Sequence, residues 1–317
     1  MQVPSAKVSS VIEVLAEEGE AVQTGQPLIS VDLPDLPLDC YVFVPLKGKQ
    51  ILPGMSVQVT AAGLPCTMNI SATSTMVCSA HWPEHAQWLQ GVRGQIGVGL
   101  HLDWTSPWAV RAGHGMSLNL LMGLSLFGQI DPVRVRAEVD RQLDLFETVW
   151  QAPPDHVDGH QHIQQFPMLR RAVVEALQHR YPRHQRPWVR VSQPVAQQRG
   201  FKPWLIAYMG ASALAQMAPR KEVPASQALV GITDFKGDAA QWLRQADTWL
   251  SWAQATPGTV LMCHPGQPDA DTSDATDGIA RARVQEWQAL SDPRWLQALQ
   301  RHGLTLSPRP RARVEMA

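Results

Sequence analysis

Three histidines stand in contexts that suit metal-assisted hydrolysis. In IGVGLHLDW (96–104) a β-strand would place Gly97, Gly99, His101 and Asp103 on one face and Ile96, Val98, Leu100 and Leu102 on the other. Two glycines then clear space beside one imidazole. In HVDGHQHI (156–163) the same alternation would put His156, Asp158, His160 and His162 on a single face if the strand stays regular throughout. Burying such a row without partners is costly, whereas a divalent cation and ordered water at the strand's open end would satisfy it. The apolar run TVLMC (259–263) stops abruptly at His264, Pro265 and Gly266. A buried strand does this when it delivers a residue to the carboxyl face of an α/β fold. Each feature also has a plainer reading: a satisfied core histidine, a solvent-facing edge strand and an ordinary turn.

The elements that must position these residues follow from periodicity. From about residue 66 onward, strand-like runs alternate with helical patterns, which argues for an α/β domain with largely parallel strands. Helices are expected over Pro132 to Trp150, Pro167 to Arg180, Ala239 to Ala255 and Ile279 to Leu290, and Pro132 and Pro167 suit first-turn positions. Strands are expected over Ile96 to Trp104, His156 to Ile163, Trp188 to Val191 and Thr259 to Cys263, with a weaker one at Leu304 to Leu306. Residues 8–60 differ, being short β-type runs punctuated by EEGE, TGQP, LPDLP and LPGM. The expected organisation is a small all-β module over 1–65, an α/β domain over 66–307 and a disordered tail over 308–317.

Composition narrows the partners. A chain of 317 residues with 44% hydrophobics can bury a full core, and its formal net charge of −1 provides no footprint for nucleic acid or an anionic membrane. Cys40, Cys66, Cys78 and Cys263 show no CxxC pairing, so neither a zinc ribbon nor a disulfide scaffold is signalled. No apolar run is long enough to span a bilayer, and MQVPSAKVSS lacks the layout of a secretory signal. The expectation is a cytoplasmic protein with no membrane span and no nucleic-acid partner; a homodimer stays open. Trp82, Trp88, Trp104 and Trp108 could line a sugar subsite or pack in the core.

Taken in order, GVGLHLDWT (97–105), HVDGHQHIQQFP (156–167), WVRV (188–191), ITDFKGD (232–238) and MCHPG (262–266) resemble the YdjC-like carbohydrate deacetylases, a family with chitooligosaccharide and hopanoid-associated members. The resemblance covers about 70–307. It implies a distorted (β/α) barrel that removes an acetyl group from an N-acetylated sugar or oligosaccharide with a divalent metal, Mg²⁺ or Zn²⁺. His101 and His160 match the histidine ligands, and His264 matches the group that protonates the departing amine. Arg190 matches a strand arginine. Asp158, His162 and Asp103 fall at positions near the ligands or the substrate. No further cofactor is implied.

The resemblance is incomplete at its start. The family opens with a strand ending in Asp-Asp-Phe-Gly, whose aspartates supply the base and the remaining ligand. Here the match begins at ATSTMV (72–77), no Asp occurs between Asp39 and Asp103, and Glu84 is the one acid in that interval. In place of the missing strand, VIEVLAEEGEAVQTGQPLISVD resembles a half-lipoyl hairpin, and YVFVPLKGKQILPGMSVQV is similar to part of a HlyD-type membrane-fusion adaptor. The barrel is therefore expected to be incomplete: its open edge is covered by a strand from the N-terminal module or by a partner, or the protein is unstable. Asp32, Asp35, Asp39, Asp103 and Asp158 are candidate stand-ins for the lost carboxylates, with Asp158 first because it shares a face with His160. Three functions remain in view: a metal-dependent N-deacetylase, an inactive sugar-binding or scaffold protein, and an export-adaptor fragment.

Overall fold

The computed structural model describes residues 70–266 and 278–309, together with the backbone of five short strands in the first 69 residues. Those five are β1 (Glu13–Val14), β2 (Ile29–Asp32), β3 (Asp39–Val44), β4 (Val57–Ala61) and β5 (Leu64–Met68). The remainder contributes β6 (Ala72–Thr75), β7 (Gly97–Leu102), β8 (His156–Gly159), β9 (Trp188–Val189), β10 (Ala228–Val230) and β11 (Thr259–Cys263). Apart from the strands, the adaptor-like segment lies outside the described residues, as do Asp35 and the tail at 310–317.

The helices form where capping and apolar spacing agree. Asp131 accepts from the Val133 N–H at 2.9 Å and Pro132 opens the helix Pro132–Trp150, which buries Val135, Val139, Leu143, Phe146 and Trp150 along one stripe. Pro167–Arg180 likewise starts on proline and buries Leu169, Val173, Ala176 and Leu177. Asp238 caps Ala239–Ala255 through the Gln241 N–H at 2.7 Å. These three helices have the boundaries that their sequences predict.

A seven-stranded sheet runs in the order β10-β11-β3-β6-β7-β8-β9. Strands β6 to β9 are parallel, as are β10 and β11, and helical crossovers connect them. The protein is thus α/β. Strand β3 enters from the N-terminal segment and pairs antiparallel with both β11 and β6, with Cys40 opposite Cys263 and Thr73. The edge left by the missing first strand is therefore paired by a strand of opposite direction. The outer strands meet through isolated bridges, Val189 with Ala225 and Pro194 with Leu229, rather than through a continuous ladder. The other four strands form a second sheet, β1-β2-β4-β5.

All six residues of β7 are buried, so both of its faces are covered. Gly99 is required there: a Cβ would lie 2.2 Å from Nε2 of His156, so the glycine makes room for the neighbouring imidazole. Three expected strands are shorter than their patterns suggest, and 304–306 is coil. The large departure is at 156–163, where β8 ends at Gly159 and His160–Gln165 forms a 3₁₀ turn with Gln161 and His162 at φ 54° and 63°.

Candidate functional site: a buried histidine, aspartate and arginine chain

The parallel register sets His101 of β7 opposite Asp158 of β8. Their side chains meet, with Nδ1 of His101 2.8 Å from Oδ1 of Asp158. Behind the carboxylate, Nη1 of Arg190 lies 2.7 Å from Oδ2, and Nη2 donates to the Gly159 carbonyl at 2.9 Å. All three residues are buried. Burial alone would raise the Asp158 carboxyl, but Arg190 and His101 outweigh it and hold it well below the usual carboxylate range. An ionised Asp158 makes Nδ1 of His101 the donor, which leaves the lone pair on Nε2. This is the arrangement by which a carboxylate orients a metal-binding imidazole and raises its basicity.

His160 follows directly, because the end of β8 at Gly159 brings its ring to 5.7 Å from that of His101, edge to face. The 3₁₀ turn is tight. A Cβ on Gly159 would lie 2.9 Å from the Gln164 nitrogen. Left-handed backbone at Gln161 and His162 then redirects His162 to Ser192, with Nδ1 2.9 Å from Oγ. Gln164 braces that hydroxyl at 3.2 Å and the Arg190 carbonyl at 3.0 Å. Burial, with Arg190 and His264 adding to it, pushes the His162 imidazole well below its ordinary value, so it is neutral. The four-residue face expected from strict alternation is thus interrupted: His156 and Asp158 share it, and His160 and His162 are placed by the turn.

His156 is tied to the core rather than to the site. Its Nε2 is 2.8 Å from Oγ of Ser74, and its ring stacks on Trp188 with centroids 4.6 Å apart. Burial pushes its pKa down to about 4. Asp103 does not face the histidines either. Strand β7 stops at Leu102, and the Asp103 carboxylate accepts from the Thr105 and Ser106 N–H groups at 3.1 and 3.0 Å and from the Ser106 hydroxyl. Its own turn consumes it. Of the tryptophans at 82, 88, 104 and 108, Trp82 and Trp104 are in the core.

His264 lies just past β11. Its backbone N–H donates to Glu286, whose Oε2 is 4.0 Å from Nδ1, and its ring meets Phe235 edge to face at 5.3 Å. Glu286, Ser74 and Ser192 carry no local sequence signal, because the first sits on a distant helix and the serines act only through partners brought in by the sheet. Arg190 reaches toward this side too, with Nη1 3.9 Å from Sδ of Met262.

One group of potential metal ligands appears among the described residues at a different place: Cys78, His114 and Glu138, with donor atoms all within 4.8 Å of one another. Arg141 occupies its middle. Its Nη2 lies 2.7 Å from Oε1 of Glu138, 3.5 Å from Nδ1 of His114 and 3.6 Å from Sγ of Cys78. Burial pushes the Cys78 thiol up to about 11, which opposes metal binding as a thiolate. The donor chemistry at His101 and His160 fits a divalent ion better, since two imidazoles stand side by side there and Asp158 orients one of them through Nδ1.

The fold and site define an α/β protein with ionisable groups gathered where parallel strands end, the usual location of chemistry in such sheets. A profile of the YdjC-like proteins matches residues 54–301, and the chain belongs to that family. Over 114 residues it is 28% identical to a chitooligosaccharide deacetylase of Proteus mirabilis (strain HI4320), an alignment covering 34% of this chain and 45% of that relative. The chain thus matches less than half the length of that curated relative. The fold is also similar to the crystal structure of an Enterococcus faecalis V583 protein provisionally named for cellobiose-phosphate cleavage. That comparison has a TM-score of 0.55 at 15% identity and covers 76% of this chain and 87% of the other. No helix among the described residues is long and apolar enough to cross a membrane.

Proposed function

We propose that the protein is a divalent-metal-dependent hydrolase that removes the N-acetyl group from an amino sugar or a glycosylated lipid headgroup. The observation that carries this function is the buried chain from Arg190 through Asp158 to His101, set beside His160 in a member of the YdjC-like family. His101 and His160 would hold the ion, Mg²⁺ or Zn²⁺. Such an ion supplies polarisation of the acetamide carbonyl and acidification of water.

The chain's own residues do the rest. Arg190 keeps Asp158 ionised, and Asp158 holds the His101 ring. His264 delivers a proton to the departing nitrogen, with Oε2 of Glu286 4.0 Å from its Nδ1. His162, neutral and fixed by Ser192, offers a hydrogen bond to the sugar. Two of the candidate bases are already engaged. Asp158 is committed to Arg190 and His101, Asp103 to its turn, and Asp32 belongs to the smaller sheet. Asp39 alone of the N-terminal candidates among the described strands starts a strand inside the larger sheet, its α-carbon opposite that of Ser74. A cytoplasmic setting accords with cysteines that lack disulfide spacing.

A second reading, a sugar-binding protein without turnover, is favoured by one observation: the carboxylate bonded to His101 is already held by an arginine. Acetate release from diacetylchitobiose by the metal-loaded chain separates the two. His264→Ala should lower kcat by about 10²–10⁴. Bound metal and bound sugar with no acetate would establish the second reading.

A further inference from the structure

The helix Phe201–Ile206 continues into a π-turn, Ala207–Ala211, and displays three aromatic rings on its outer face. Phe201, Trp204 and Tyr208 are 74%, 57% and 70% exposed. Their rings form a ladder, with centroids 5.8 and 5.4 Å apart and planes inclined by 29° and 15°. Exposed apolar residues scattered singly need no account, but three large rings in register do.

The ladder is fastened to both sides of the histidine site. On one side, Gln165 closes the turn that carries His160 and His162, and its Nε2 donates to the Ile206 carbonyl at 2.6 Å. Gly210 permits this approach: its φ is 117°, and a Cβ there would lie 2.3 Å from the Gln165 carbonyl oxygen. On the other side, Lys202 donates to the Thr233 carbonyl and sits 4.5 Å above the Phe235 ring, which meets His264. π-turns of this kind are frequent at functional sites.

We infer that Phe201, Trp204 and Tyr208 form a stacking platform for the sugar units of an oligosaccharide beyond the one at the histidines, an inference that rests on the proposed function. Pyranose rings present flat C–H faces that lie against aromatic rings, and the ring spacing is comparable with the advance of one sugar along a β-1,4 chain. The patch is small. Three aromatic side chains at these exposures offer roughly 400–500 Å², about half of the ~800 Å² per partner that a stable dimer buries.

Calorimetry with N-acetylglucosamine oligomers and with cellotetraose, which has no acetamide, tests the platform on the intact metal-loaded chain. Wild type should bind the tetrasaccharides more tightly than the disaccharides. Trp204→Ala with Tyr208→Ala should abolish that length dependence and weaken tetrasaccharide binding at least about tenfold. Tyr208→Ser, at a site that carries no core contact, provides a milder variant with the same direction, and Trp204→Phe should restore binding. Equal tetrasaccharide affinity in wild type and the double variant overturns the platform, as does a wild-type dimer that the double variant dissociates. Length-dependent binding without acetate release would instead remove the deacetylase reading and leave the platform standing.

Discussion

Two clusters in this molecule use the same ingredients, a histidine, a carboxylate and an arginine, and differ in where the arginine stands. In the first, Arg190 lies behind Asp158, so the carboxylate faces His101 and the imidazole faces away from both. In the second, Arg141 lies between Glu138, His114 and Cys78 and takes the place that an ion would fill. The first cluster is sealed from water, and its members have one arrangement available. The second has its arginine side chain 41% exposed, free to be exchanged for solvent. An arginine at the rear arranges a site, whereas one at the centre closes it.

Removing the rear arginine should have the largest effect. Arg190→Met leaves Asp158 buried with its charge uncompensated, and the expected loss is about 3–5 kcal/mol, read from chemical denaturation. The pH profile sharpens this. Because the folded Asp158 pKa lies below its unfolded value, its stabilisation is present above about pH 4 and is lost as pH falls through the folded value. In Arg190→Met that pKa rises toward its unfolded value, so the stability lost on acidification below about pH 4 should shrink. A variant with an unchanged acid limb would show that Arg190 does not control the carboxylate.

Neutralising the middle member is milder. Asp158→Asn keeps the shape but no longer enforces the His101 tautomer, and divalent-metal affinity should fall by about 10–100-fold in equilibrium dialysis. Undiminished affinity would show that His101 is not a ligand. Opening the second cluster should change stability least, by about 1–2 kcal/mol for Arg141→Ala, since its ion pair is half-buried, with Arg141 41% and Glu138 12% exposed. The same variant should acquire a Co²⁺ site whose d–d absorption band His114→Ala removes. The band appearing equally in wild type would mean that Arg141 does not close the cluster.

Much of this was legible in the sequence. Pro132 marked the start of Pro132–Trp150, and period-two spacing put His156 and Asp158 on one face of β8. The turn after Gly159 was hidden because its left-handed residues are Gln161 and His162, neither of which signals that backbone as glycine would. Asp103 looked like a site residue until the strand ended one position before it. The second cluster draws on Cys78, His114 and Glu138, and only the packing of helix Pro132–Trp150 against the sheet unites them. Phe201, Trp204 and Tyr208 had helical spacing in FKPWLIAY, but a stripe of that kind reads first as core.

The antiparallel strand β3 also has a consequence for how the chain acquires its shape. It pairs β6 on one side and β11 on the other, and β11 lies near the opposite end of the sequence. Pairings between such distant segments form slowly, because a long loop must close before they are rewarded. During synthesis the parallel strands β6 to β9 can assemble while β11 is still inside the ribosome. One edge of β3 therefore waits as an unpaired template until the last strand emerges, and that interval is when the chain is most exposed to aggregation through strand addition.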